Sequence, residues 1–192
     1  MGEFMKFEML ADSIKEINVK AGNIAKCAVN QLMTLRNWAI GYYIVEYEQG
    51  GSDRASYGTR LLKNLEEQIS EKGMNSTLFK WCRQFYLLYP QIGAAVSHQF
   101  GLPYFEKSAT ASHQFETKPE LLLNNLSFSH IRELLVIADD FERFFYETEC
   151  IKCNWTVREL RRQIKTNLYI RAGISKKPEL LLQETMGHPD ST

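Results

Sequence analysis

From Ile17 to Tyr47 apolar residues return every three or four positions. Ala25, Ala28, Leu32, Leu35, Ala39 and Tyr42 form one row, and Val29, Met33, Ile40, Ile44 and Tyr47 a second. That period predicts one long helix, packed on two sides or lying at a dimer seam and ended by Gly50-Gly51-Ser52. Tyr57, Leu61, Leu65 and Ile69 repeat the pattern over 57–71, and Lys72-Gly73 supplies a left-handed stop. Asn75 or Ser76 is placed to cap a further helix over 76–89. Leu78, Cys82, Phe85 and Tyr89 line its inner face, Phe79 and Tyr86 flank that face, and Pro90 ends it.

The stretch 99–125, with Gly101, Pro103, Pro119, many Ser and Thr, and Ser-His-Gln-Phe at both 97–100 and 112–115, reads as a long surface loop with some helix. Beyond it, Phe128, Ile131, Leu134, Leu135 and Ala138 mark one helix, and Phe141, Phe144, Phe145 and Ile151 another. Asp139-Asp140 fits the break between them. Thr156 and Glu159 form a capping box for a last helix, with Val157, Leu160, Ile164 and Leu168 inside, Arg158, Arg161, Arg162 and Lys165 outside, and Gly173 as its stop. Strand alternation is missing throughout, so the expected fold is all-α: a multi-helix bundle with a long N-terminal helix. Residues 1–16 read as an extension that is partly vector-derived, 17–173 as the helical domain with an inserted loop at 99–125, and 174–192 as a tail or linker.

The 192 residues, 44% of them hydrophobic, are enough for a closed core, and no window approaches the run of about 18 apolar residues that spans a membrane. The N-terminus also lacks the apolar core of a secretory signal, so a cytoplasmic setting is expected, where the four cysteines, too few for a disulfide scaffold, stay reduced. Charge is balanced overall at 23 basic and 23 acidic residues but uneven along the chain. It runs −1 over residues 1–50, +2 over 51–90, −5 over 91–150 and +4 over 151–192. A polyanion would meet the last block first.

The helices at 57–71 and 76–89, joined through Gly73, form a candidate helix-turn-helix. In such a unit the second helix offers its first turns to base edges and its free amides to a phosphate. Asn75, Ser76, Thr77, Lys80, Arg83 and Gln84 have side chains suited to both tasks, against the alternative of an ordinary amphipathic helix pair. Arg158, Arg161, Arg162 and Lys165 match backbone phosphates without sequence preference, or form a solvated face neutralised by the acidic block before them. Cys150 and Cys153 lack a second ligand pair and read as apolar packing rather than zinc ligands, and His130 reads as a packing or capping residue. No nucleophile with a base, no carboxylate cluster and no phosphate-binding glycine loop stands out, so neither an active site, a metal nor a cofactor is expected. Catalytic groups hidden in the 99–125 loop are the remaining enzyme alternative.

Several ordered blocks resemble the N-terminal helical domain of the YhcG-type PD-(D/E)XK nuclease family. They are Val29-Asn30-Gln31-Leu32, Trp38-Ala39-Ile40-Gly41, Tyr57-Gly58-Thr59-Arg60-Leu61-Leu62, Gln84-Phe85-Tyr86-Leu87-Leu88-Tyr89-Pro90, Leu126-Ser127-Phe128-Ser129-His130, and the run from Trp155 to Ile164. The resemblance implies a helical module preceding a nuclease domain that would start near or beyond residue 175. The chain is then expected to be an isolated domain, a truncated product or a stand-alone variant, without nuclease activity of its own. The order of the helix pair, Leu126–His130 with Arg132, and Thr156–Glu159 is also similar to the helix-turn-helix core of ParB-like partition proteins. That likeness implies groove-facing roles for Asn75, Ser76, Thr77, Lys80 and Arg83, although Phe79 and Trp81 depart from a polar recognition face. The leading expectation is a DNA-binding or DNA-targeting module, able to form a homodimer through its first helix. The alternative is a protein-interaction or dimerisation module using Phe79, Trp81, Phe144, Phe145 and Tyr146 as its surface.

Overall fold

In the computed structural model, which describes residues 7–50, 60–101 and 116–173, the chain is built around one helix, α1, running unbroken from Phe7 to Gly50. It begins ten residues before Ile17, because Phe7 to Glu16 contain no helix breaker and the exposed pairs Asp12–Lys15 and Glu16–Lys20 lie on successive turns. Eight further α-helices follow among the described residues: α2 Leu61–Ile69, α3 Ser76–Leu88, α4 Gly93–Phe100, α5 Pro119–Asn125, α6 Phe128–Leu134, α7 Asp140–Lys152, α8 Val157–Lys165 and α9 Leu168–Arg171. A 3-10 turn, Pro90–Ile92, joins α3 to α4. No strand occurs among the described residues, and the protein is an all-α multi-helix fold.

Only the second half of α1 is packed. Leu35, Trp38, Ala39, Ile44 and Val45 are buried, whereas Ala25, Ala28, Val29, Leu32, Met33 and Tyr47 of the rows read from sequence are exposed. The period is correct, but periodicity does not say where along a helix the partner begins. That partner is α3, whose Phe79, Cys82, Phe85 and Tyr86 are all buried. Phe79 and Tyr86 are thus core residues rather than flanks. The two helices touch backbone to backbone at Gly41, where a Cβ would lie 2.0 Å from the Cys82 carbonyl oxygen. The indole N–H of Trp38 donates to the carbonyl of Tyr89 at 2.8 Å, a second bond to an acceptor just past the end of α3 that also takes the Ile92 amide at 3.2 Å.

The core continues through Ile92, Val96, Leu122, Leu126, Ile131, Leu134, Leu135, Phe145, Tyr146 and Leu160. α5 lies within the stretch expected to be mainly loop: Pro119 opens it, and Leu122 is buried. Residues 102–115 of that stretch, the helix start near Tyr57 and the tail beyond Gly173 lie outside the described residues. Between α7 and α8, Asp139 caps α7 through the Glu142 amide at 2.7 Å, and Thr156 and Glu159 form the predicted box on α8. The last helix breaks earlier than Gly173, at Asn167, which takes a left-handed conformation before the short α9.

Candidate nucleic-acid interface

α2 and α3 do form a helix pair, closed by Ser70 and Gly73 in left-handed conformations. Two of the three free amides at the start of α3 are already taken. The Asn75 side chain accepts from the Leu78 amide at 2.8 Å, and the Ser76 amide donates to the Glu66 carboxylate at 2.9 Å. These bonds to Ser76 hold the Glu66 carboxyl below the ordinary carboxylate range. A carboxylate of the protein therefore sits where a phosphate was expected, and Asn75 and Ser76 work as caps. Arg83 is drawn back to α1 by Glu48, with Nε to carboxylate at 2.7 Å, and Gln84 donates to the Leu135 carbonyl at 2.7 Å. Of the six residues singled out on this helix, Thr77 and Lys80 face solvent without such a partner.

The second candidate row is displayed more openly. The capping box fixes the start of α8: Thr156 Oγ1 and the Thr156 amide both donate to the Glu159 carboxylate at 2.9 Å. Leu160, fully buried, pins one side of the helix to the core. The side chains of Arg158, Arg161, Arg162 and Lys165 are then committed to the opposite side, where they line one open groove with Thr156, Glu159 and Thr166. Arg161 is the exception to free display. It holds Glu133 of α6 in a two-pronged pair, Nε to Oε2 at 3.0 Å and Nη2 to Oε1 at 2.6 Å. The hydrogen bonds from Arg161 keep the Glu133 carboxyl below its usual range, with Arg132 and Lys165 adding to the effect. Arg158, Arg162 and Lys165 make no ion pair within 4 Å among the described residues and are exposed.

α6 connects the two candidate rows. Its exposed Arg132 lies over the Trp81 ring of α3, 5.5 Å from the centroid, and the adjacent Glu133 reaches α8. Arg132 thus belongs with the basic set, although its sequence context offers only the position next to Glu133. With Arg132 included, five cations around α6 and α8 face Glu133 and Glu159, a formal balance of +3. The N-terminus of α6 is locked by His130. Its Nδ1 accepts from the Ser127 amide at 3.1 Å, which leaves the Nε2–H to donate to the Trp155 carbonyl at 3.0 Å. Burial lowers the His130 pKa, so the neutral capping form is the one favoured.

The aromatic surface expected for a protein-interaction module is not available. Phe79, Phe144, Phe145 and Tyr146 are buried, because each sits on the side of its helix that meets the core, and Trp81 is half-buried under Arg132. One polar cluster has no signature in the sequence. Glu147 of α7 is buried and accepts from Tyr89 Oη at 2.6 Å and Thr117 Oγ1 at 2.7 Å. Nearby Arg143, also buried, pairs with Asp140 and donates to the Ile137 carbonyl at 3.1 Å. Burial pushes the Glu147 carboxyl up, and burial next to Glu147 pushes the Tyr89 phenol well up. Thr117 stands two residues before α5, so this cluster fastens that segment to the core. Cys150 is likewise buried, its thiol pushed up to about 12 by burial, while Cys153 is exposed.

Residues 13–171 match the family model for the DUF1016 N-terminal domain. The chain is 32% identical over 187 residues to the Escherichia coli (strain K12) protein named "Putative nuclease YhcG". That match takes in 93% of this chain and 50% of the relative, so the chain spans about half the length of the curated protein it resembles. No solved structure matches. No helix among the described residues is long and apolar enough to cross a membrane.

Proposed function

This chain belongs to the DUF1016 N-terminal domain family, and from that premise we propose that it is a non-catalytic DNA-docking module that positions a nuclease. The observation that carries the proposal is the set Arg158, Arg162 and Lys165: three exposed cations without ion pairs, on one rigidly capped helix face. Guanidinium and ammonium groups so placed bind phosphates by charge and fork geometry and displace condensed counterions. Arg132 and Lys80 extend the basic surface along the route from α8 through α6 to α3.

Docking of this kind reads the backbone more than the bases. Arg83 and Gln84 are engaged within the molecule, and the Ser76 and Leu78 amides of α3 are capped, which leaves Thr77 and Lys80 as the groove-facing pair. Thr77→Ala is accordingly expected to change sequence preference little. The nuclease connection comes from the E. coli relative, and no residue of this chain is assigned a hydrolytic role. Self-association through α1 and a cytoplasmic location belong to the same proposal.

The test is fluorescence anisotropy with a short DNA duplex across a salt series. Each phosphate contact contributes about 0.9 to the slope of log K against log salt. Arg158→Ala, Arg162→Ala and Lys165→Ala together should flatten that slope by nearly 3 and weaken binding at every sequence tried. A slope that stays where it was, or a wild-type chain that binds no DNA at low salt, overturns the assignment.

A further inference from the structure

α1 carries a single 3-4 repeat along its whole length: Phe7, Leu10, Ile14, Ile17, Ala21, Ile24, Ala28, Gln31, Leu35, Trp38, Tyr42 and Val45. From Leu35 onward this stripe is the core side of the helix, with Leu35, Trp38 and Val45 buried. Before Gln31, whose amide reaches Asn124 of α5, the same stripe runs on into solvent. Phe7, Leu10, Ile14, Ile17 and Ile24 are between 44 and 81% exposed. The arm from Phe7 to Ala28 is about 33 Å long at 1.5 Å per residue. A helix of that length in water depends on tertiary packing of its apolar stripe.

We propose that the arm pairs with the arm of a second copy of this chain as a two-stranded antiparallel coiled coil. The five large side chains and the alanines between them still expose about 650 Å² per chain, so two arms supply about 1,300 Å², within the range of stable interfaces. The positions beside the stripe hold Ala11, Ser13, Asn18, Lys20, Ala25 and Cys27, small or uncharged apart from Lys20, so two helices can approach closely. Two asymmetries set the direction. Four of the five large stripe residues, Phe7, Leu10, Ile14 and Ile17, lie in the first half, whereas the second holds Ile24 between Ala21 and Ala28. The first half, residues 7–17, carries −2 (Glu8, Asp12 and Glu16 against Lys15), and the second, residues 18–30, carries +2 (Lys20 and Lys26). Antiparallel pairing sets Phe7 against Ala28 and Ile14 against Ala21 and lays the acidic half along the basic half, whereas parallel pairing stacks large on large at Phe7, Leu10, Ile14 and Ile17 and like charge on like.

The pairing deepens the self-association named above, and DNA docking does not depend on it: the basic groups lie on α3, α6 and α8. Sedimentation equilibrium should therefore give a dimer for the full chain and a monomer for Ile14→Glu/Ile17→Glu. That variant should keep the intact domain's cooperative unfolding and its salt-dependent DNA binding, which separates failure here from failure of DNA docking. Orientation is read by spin-labelling Cys27 in a Cys153→Ser background, since Cys82 and Cys150 are buried. Pairing centred near residues 17–18 puts the two labels about 30 Å apart along the coil, against about 15 Å or less for parallel strands. A monomeric wild type, a trimer or larger assembly, a glutamate variant that stays dimeric, or a short label distance each overturns the proposal.

Discussion

Two glycines of the same helix are expected to respond to the same substitution with opposite signs. Gly22 lies on the exposed arm with open space around its Cα, whereas Gly41 lies where α1 meets the backbone of α3. At Gly41 an added methyl would stand 2.0 Å from the Cys82 carbonyl oxygen, 2.6 Å from its carbon and 2.9 Å from Tyr86 Cβ. Two of those atoms are backbone, so no side-chain rotation relieves the clash. α1 and α3 must part by about 1 Å, which forfeits a quarter to a half of the dispersion well along their contact. Overpacking of this kind costs about 3 kcal/mol, at the upper end of its usual range. The gain in helix propensity from glycine to alanine offsets only about 1 kcal/mol. Gly41→Ala should thus destabilise by about 2 kcal/mol, while Gly22→Ala keeps the propensity gain alone. In urea, with a slope of about 2 kcal/mol per molar, the Gly41→Ala midpoint should fall by about 1 M. The Gly22→Ala midpoint should hold or rise, with added helical signal at 222 nm. A Gly41→Ala midpoint at or above wild type would refute the close approach of α1 and α3.

Three further outcomes follow from the buried and paired groups. Glu133→Gln should release Arg161 for phosphate and steepen the salt slope of DNA binding by about 0.9, while Arg161→Ala should leave it nearly unchanged. Glu147 has a carboxyl raised above its ordinary value of 4.5 in the folded state, so its contribution to stability is full below that pH and is lost as pH rises through the raised folded value. Glu147→Gln, neutral at every pH and still able to accept from Tyr89, should remove that part of the decline, seen as a flatter curve of unfolding free energy against pH than wild type. Thiol titration of the native chain should find Cys27 and Cys153 reactive and Cys82 and Cys150 silent until denaturant is added, because burial pushes both silent thiols up to about 12.

Local chemistry was enough to read the helices themselves. The apolar period, the caps at Asn75 and Thr156, the break at Asp139-Asp140 and the stop at Pro90 act within a few residues, and the sequence carries them in plain order. The outward row Arg158, Arg161, Arg162 and Lys165 follows the same way from 3.6 residues per turn. The fate of each charge was decided only in three dimensions. Glu48 and Arg83 are 35 residues apart and Glu133 and Arg161 are 28 apart, and nothing in their neighbourhoods marks them as partners. The aromatic residues of α7 look like a binding surface until the core claims them, because a stripe of Phe and Tyr reads alike whether it meets a partner or its own domain. Gly41 reads as an ordinary helix defect until α3 lies against it. Even the single stripe of α1, continuous in sequence from Phe7 to Val45, is divided by tertiary structure alone: the domain covers about half of it, and the rest is left facing water.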